Sequence, residues 1–406
     1  HKPVLIDKVN FFMHSIIQGN IHRKRIISDF KPVSLHRDIL RKINGRYESD
    51  AIIDLLQELN IITVNHSYSV GNQSKKYGLT DTAKQMEITQ VGVLSKRMED
   101  KIKMYKNKLL NFYLKDKAIH NKIIHNITNL RFNPDNQKAN QALEDPVRGS
   151  DKAKYYKNTF QALKDMNDYN DLGQYIESPN FYYTQSKKVN RVFHYYSTIP
   201  KAYRESLTLK DGTLLSEIDL KNSQPLIIGL NYLNSKTKHT ESDKMLLSDL
   251  LQGNFYNRIA NQALINEDVE LYNIYTDDYG KFKTFALGQG LYFNYLPLQM
   301  IKPAEKYLMQ LYPNFMNHIR DKKRLNGYKS VSIDAQLIEA NIFIESLYRG
   351  LEPGQFAVPV HDSIIVKEYE VEYFLTKLID IFRVKFPLLS HQQVNDLFRI
   401  KNYKDD

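Results

Sequence analysis

Cysteine is absent from this 406-residue chain. That excludes disulfides, thiolate metal sites and cysteine nucleophiles, and it fits a reducing, cytoplasmic setting. No apolar run approaches the length needed to span a bilayer and there is no signal-like start, so no membrane partner is expected. Internal repeats and long low-complexity segments are also missing. The first residue is His1, which reads as a fragment or as a chain that follows a tag. What is present is ordinary for a folded chain, at 42% hydrophobic and 25% charged, with length enough for two or three domains. The net charge of +11 favours an anionic partner. The 28 tyrosines and 19 phenylalanines, interleaved with lysine, suit stacking on bases beside phosphate contacts. An AT-rich coding sequence produces the same wealth of Lys, Asn, Tyr and Ile whatever the function.

Residues 1 to about 30 carry Val4, Leu5, Val9, Phe12 and Ile16 at helical spacing. A short helix over His36–Ile43 and a second over Ser49–Leu59, with Ser49 or Asp50 as N-cap, come next. Ile61–Val70 alternates like a strand, Gly71-Asn72 makes a turn and Lys75–Leu79 returns. Helices followed by such a hairpin with a basic flank resemble a winged helix, a fold used for DNA and for protein contacts. From about Val91 to Leu130 the pattern is polar, basic and helical, either a solvated face or one that tracks phosphates.

Two stretches carry candidate chemistry. Ala357–Val360 and Ile364–Val366 are short apolar runs around His361-Asp362-Ser363, which reads as two buried strands joined by a tight turn. An Asp there either shapes the turn or presents a carboxylate to a metal from a rigid hairpin. In Gly212–Leu220, a turn and a strand, Leu215, Glu217 and Asp219 share one face. Lys221-Asn-Ser-Gln-Pro225 then leads into a helix from Leu226, with Ser223 as N-cap and Pro225 in the first turn. If the two strands adjoin, Asp219 and Asp362 hold a pair of Mg²⁺ ions, which favour a few carboxylates plus water and phosphate oxygens. Two such ions about 4 Å apart serve phosphoryl transfer.

Asp219-Leu-Lys-Asn-Ser-Gln-Pro225 resembles motif A of family A (polymerase I-like) DNA polymerases, and Val360-His-Asp-Ser-Ile-Ile-Val366 resembles their motif C hairpin. Between them Lys281-Phe-Lys-Thr-Phe-Ala-Leu-Gly-Gln-Gly290 is similar to the family's fingers helix, with Lys281, Phe285 and Gln289 four apart on one face. Upstream, Asn190-Arg191 is similar to the Gly-Arg segment before motif A. Downstream, Gln336 stands on a helix like the one that tracks template and primer. The resemblance covers about residues 185 to 395, and the five elements stand in the family's order.

The resemblance implies an α+β, right-hand polymerase core with palm, fingers and thumb, preceded by the winged-helix-like module. The expected domains are 1–90 for that module, 91–185 for a helical linker or thumb-like region, 186–234 and 351–406 for the palm, and 235–350 for the fingers. It implies two Mg²⁺ ions, with Mn²⁺ as substitute, on Asp219, Asp362 and the Leu220 carbonyl. It assigns triphosphate and leaving pyrophosphate to Lys281, base stacking to Phe285 and the nucleotide and template region to Gln289. It assigns the primer–template to Arg191, Gln336 and His361.

Departures from the pattern are Gln289 in place of Tyr, Asp277 in place of a phosphate-gripping Arg, with Lys281 or Lys283 compensating, and Ser363 in place of Glu. Gln224 stands where the family places a Glu gate against the ribose 2′-OH, so looser choice between dNTP and rNTP is expected. No acidic pattern of a proofreading exonuclease is seen. The whole resembles the primase-polymerases of mobile genetic elements, with template and primer DNA as partners and a small accessory protein or helicase beside them. The rival readings are a single-subunit RNA polymerase-like enzyme and a non-catalytic winged-helix replication initiator.

Overall fold

The structure is a computed structural model that describes residues 2–21, 30–35, 40–41, 44–65, 75–86, 95–102, 116–146, 150–173, 178, 181–293 and 303–403. It is a mixed α+β protein, largely helical with small antiparallel sheets. The chain forms two units, His1–Phe112 with Glu144–Asn158, and Tyr113–Leu143 with Thr159–Asp406. The stretch 91–185 thus contributes to both. No helix among the described residues is long and apolar enough to cross a membrane.

In the smaller unit, α1 (Lys2–Ile21) buries Phe12 and Ile16, one turn apart, while Leu5 is exposed. Phe12 meets Tyr77 edge-on at 5.4 Å. A three-stranded sheet of β1 (Val33–Ser34), β2 (Ile62–Asn65) and β3 (Lys76–Leu79) has the order β1-β3-β2. The helix between β1 and β2, α2 (Arg46–Glu58), starts ahead of the expected cap at Ser49 or Asp50. Gly45, at φ 98°, takes the N-cap, a backbone setting that suits glycine. Ser49 lies inside the helix and donates to the carbonyls of Gly45 and Leu40. The tip Gly71-Asn72 and most of His36–Ile43 lie outside the described residues.

The larger unit is built on a four-stranded antiparallel sheet, β11-β8-β10-β9 in spatial order. Its members are β8 (Leu215–Leu220), β9 (Ala357–Val360), β10 (Ser363–Lys367) and β11 (Phe398–Asn402). The strands β4 (Leu130–Phe132), β5 (Tyr183–Gln185), β6 (Val192–His194) and β7 (Leu207–Leu209) form two separate pairs, β4 with β7 and β5 with β6. In the main sheet the period of two sorts the side chains. Ser216, Ile218 and Leu220 lie on one face, with Ile364 opposite Ile218 and Phe398 opposite Leu220. Helix Val371–Lys385 packs there, its Phe382 ring 5.9 Å from Phe398. The other face carries Glu217, Asp219, Ser363, Arg399 and Lys401. At the β9 edge Pro359 has no N–H to leave open. The β9 carbonyls of Ala357 and Pro359 are taken by Asn126, Tyr348 and His194.

Between β8 and β9 the described residues form helices and turns, with no strand. The first helix, Ser223–Asn234, is almost wholly buried. Gly229 on it lies so close to Leu250 that an added Cβ would sit 2.3 Å from that side chain, so the glycine permits the close helix approach.

Candidate active site

The hairpin expected around His361-Asp362 forms with a two-residue turn, because β9 and β10 pair Val360 with Ser363. Ser363 begins β10 and is not part of the turn. β10 also pairs with β8, Ser363 opposite Asp219, and the Leu220 N–H donates to the Asp362 carbonyl at 3.1 Å. Asp219 on β8 and Asp362 in the turn between β9 and β10, 143 positions apart in the chain, therefore stand at one end of the sheet.

Each carboxylate is held through one oxygen. Asp362 Oδ2 accepts from Ser223 Oγ at 2.5 Å. Ser223 is thus the first residue of its helix and a ligand of Asp362, and the expected N-cap role passes to Asn222, which is left-handed at φ 49°. Asp219 Oδ2 accepts from Arg399 at 2.6 Å and from Lys401 at 2.9 Å. Among the described residues neither Oδ1 accepts a hydrogen bond. Two acceptor-only oxygens at the same end of the sheet fit a hard divalent cation whose remaining ligands are water and phosphate. No cluster of three or more His, Asp or Glu side chains placed for a metal occurs among the described residues, so this donor set is no all-protein cage.

Helix Tyr279–Ala286 carries the fingers-like motif. Lys281 is exposed, and its ammonium makes no hydrogen bond or ion pair among the described residues. Lys283, on the opposite side of the helix, is the lysine that turns to the site. Its Nζ donates to Asn222 at 3.0 Å and lies over the rings of Tyr279 and Tyr256, 4.6 and 5.3 Å from their centroids. Burial and the Arg399 charge push its pKa down, while Asp219 and Asp362 pull it up. Phe285 stays half-exposed, and Phe282 takes the core position.

The expectation of one continuous face for Lys281, Phe285 and Gln289 is corrected. The helix widens into a π turn over Leu287–Leu291, closed by the Tyr292 N–H on the Leu287 carbonyl at 2.8 Å. That turn holds more residues per revolution than an α-helix and carries Gln289 off the line. Gly288 and Gly290 weaken the α-helical preference there. The wide turn ends at Tyr292, whose hydroxyl donates to Gln224 Oε1 at 2.6 Å.

Gln224 also donates to Glu339 Oε2 at 2.7 Å, and Arg191 donates to the same oxygen at 2.6 Å. Glu339 is fully buried on helix Ser330–Ala340, and its Oε1 has no hydrogen-bond partner among the described residues. Burial pushes its carboxyl up to about 7, against the pull of Arg191 and with help from the Asp362 charge. Gln336, one turn earlier on that helix, is half-exposed. His361 is left-handed at φ 56° with its ring 5.5 Å from Phe193. Burial, then the Arg191 charge, push its pKa down, which favours a neutral imidazole. Of five non-glycine residues with positive φ among the described residues, three (Asn190, Asn222 and His361) adjoin Arg191, Ser223 and Asp362. Such clustering is typical of functional sites.

Sequence reasoning missed Arg399, Lys401, Glu339 and Tyr292 as neighbours of the site. A signal existed for the first two: alternate basic residues in Phe398-Arg-Ile-Lys-Asn402 lie on one face of a strand. Glu217 shares the face with Asp219 but is already occupied, accepting from Ser363 at 2.6 Å and Tyr403 at 2.9 Å, with Arg204 at 3.5 Å. No family model matches the chain, and the comparison with curated proteins finds no match.

Proposed function

We propose that the protein is a template-directed nucleotidyltransferase, a family A-like DNA polymerase with priming capacity that acts in the replication of a mobile element or plasmid. The observation that carries this is the register of β8 on β10, which puts Asp219 beside the Asp362 hairpin with one oxygen of each left open. In this reading residues 186–234 and 351–406, with the sheet and its hairpin, are the palm, residues 235–350 are the fingers, and residues 1–90 are a winged-helix-like module.

Asp219 and Asp362, with the Leu220 carbonyl, would hold Mg²⁺ or Mn²⁺. A divalent pair there supplies charge stabilisation for the attacking and leaving oxygens of phosphoryl transfer. The chain's own residues bind and orient. Lys283, rather than Lys281, would meet the triphosphate. Phe285 offers a half-exposed ring to the incoming base, with Gln289 beyond it. Arg191, Gln336 and neutral His361 line the primer–template side. Gln224, fixed between Tyr292 and Glu339, stands at the sugar, with an uncharged amide where a carboxylate gate is usual.

The test is Mg²⁺-dependent extension of a primed DNA template, with dNTPs and rNTPs supplied separately and mixed, together with synthesis on unprimed single strands. Template-directed products that Asp362→Ala abolishes support the reading. Equal behaviour of wild type and Asp362→Ala leaves the non-catalytic initiator. Strict use of dNTPs overturns the loose-sugar part alone.

A further inference from the structure

We propose that Arg399 and Lys401 keep Asp219 in reserve, so that a divalent cation loads there together with the polyphosphate that takes over the two basic side chains. This rests on the two-metal reading above and deepens it, since it concerns how the same site is filled.

The register makes the case. On β11, Arg399 stands opposite Asp219 and Lys401 opposite Glu217. A cross-strand pair is the expected partner for each. Arg399 follows that rule. Lys401 does not: Glu217 already holds Ser363, Tyr403 and Arg204, and Lys401 reaches diagonally to Asp219. Both cations converge on a single oxygen, Oδ2, so two positive charges stand beside the open Oδ1 that a metal would take.

Charge points the same way. Lys283, Arg399 and Lys401 face Asp219 and Asp362, three cations against two carboxylates, an excess of one positive charge. A lone divalent ion raises the excess to three. An anionic polyphosphate arriving with it relieves that excess and offers new acceptors to the displaced side chains. The Arg399 side chain is 57% exposed and Lys401 19%, so Arg399 is the freer of the two to change partners. These are positioning residues, acting through Asp219.

The experiment measures Mn²⁺ binding to the full chain by electron paramagnetic resonance, without nucleotide or DNA. Two ion pairs, one at an exposed and one at a partly buried side chain, predict that Arg399→Gln with Lys401→Gln binds Mn²⁺ about ten-fold tighter than wild type. Arg399→Gln alone, the milder change if the double variant fails to fold, gains about three-fold. Arg399→Lys keeps the charge and stays near wild type. Equal or weaker Mn²⁺ binding in the Gln variants overturns the proposal. A second arm measures inorganic pyrophosphate binding in chelator. Asp219→Asn frees both cations and tightens pyrophosphate, and that gain disappears when the two Gln changes are added. A gain that persists without the cations also overturns it. If adding Asp219→Asn to the double Gln variant leaves its tighter Mn²⁺ binding unchanged, the metal reading itself is wrong, a result distinct from failure of the reserve.

Discussion

Asp243 and Glu339 are both buried carboxylates of the larger unit, and they are held in opposite ways. Asp243 lies at the start of helix Glu241–Leu251, where it and Thr240 form a reciprocal capping box. It also accepts from Tyr232 and from Lys236, each at 2.6 Å. Burial alone pushes its carboxyl up, but the ammonium and the hydroxyls outweigh that and hold it at about 2. Glu339 gathers its two donors on one oxygen, leaves the other bare, and sits at about 7. Asp243, which caps a helix, is saturated by the chain around it. Glu339, next to the candidate site, is left short of partners, and a perturbed group of that kind is a mark of functional sites.

The contrast is broken most sharply at the site itself. Asp362→Ala should lower primer extension about a thousand-fold or more, since several kcal/mol of charge stabilisation is lost. Its melting temperature should stay near wild type, and both are read on the same preparation. Asp243→Ala should do the reverse. Removing one partner of a buried pair costs about 3 kcal/mol, seen as a fall in denaturant midpoint with extension kinetics unchanged per folded molecule.

A smaller effect separates the two acids by pH. Folded Glu339 binds its proton more tightly than an unfolded glutamate, so its contribution favours folding at low pH. That contribution is lost as pH rises from 4.5 to about 7, at no more than about 1.4 kcal/mol per unit. Glu339→Gln should flatten that decline. Folded Asp243 is depressed, so its stabilisation is complete above 3.8 and lost as pH falls towards about 2. Denaturant midpoints measured across these two windows, in wild type and each variant, check both signs. The smallest effect tests the proposal that helix Tyr279–Ala286 meets the nucleotide. Lys283→Ala should raise the nucleotide KM about ten-fold, as the loss of one charge-assisted contact would, and Lys281→Ala should leave it within about two-fold.

The parts of the fold legible in the sequence were those set by period and turn chemistry. The alternation in Leu215–Leu220 and the apolar runs around His361-Asp362 place both strands, and adjacency of the two aspartates follows once they pair. Capping was less legible, because Ser49 and Ser223 have tertiary partners that outrank the local role expected of them. The helical face through Lys281 failed for a different reason. A π turn depends on what the wide turn packs against, here Gly290 on Leu308, where an added Cβ would sit 2.6 Å away. The alternation in Phe398–Asn402 marks Arg399 and Lys401 as one strand face but does not name Asp219 as their partner, and Glu339 meets Gln224 and Arg191 only through the tertiary fold.

Pro359 and the cations of Phe398–Asn402 lie on the two outer strands of the same sheet. A rim that offers carbonyls already claimed on one side and repelling like charges on the other gives a second copy nothing to zip onto. The face that carries Asp219 is thereby also self-limiting: stripping Arg399 and Lys401 of charge leaves half-open Ile400 on a bare margin, and sedimentation of that variant should reveal multimers growing with concentration.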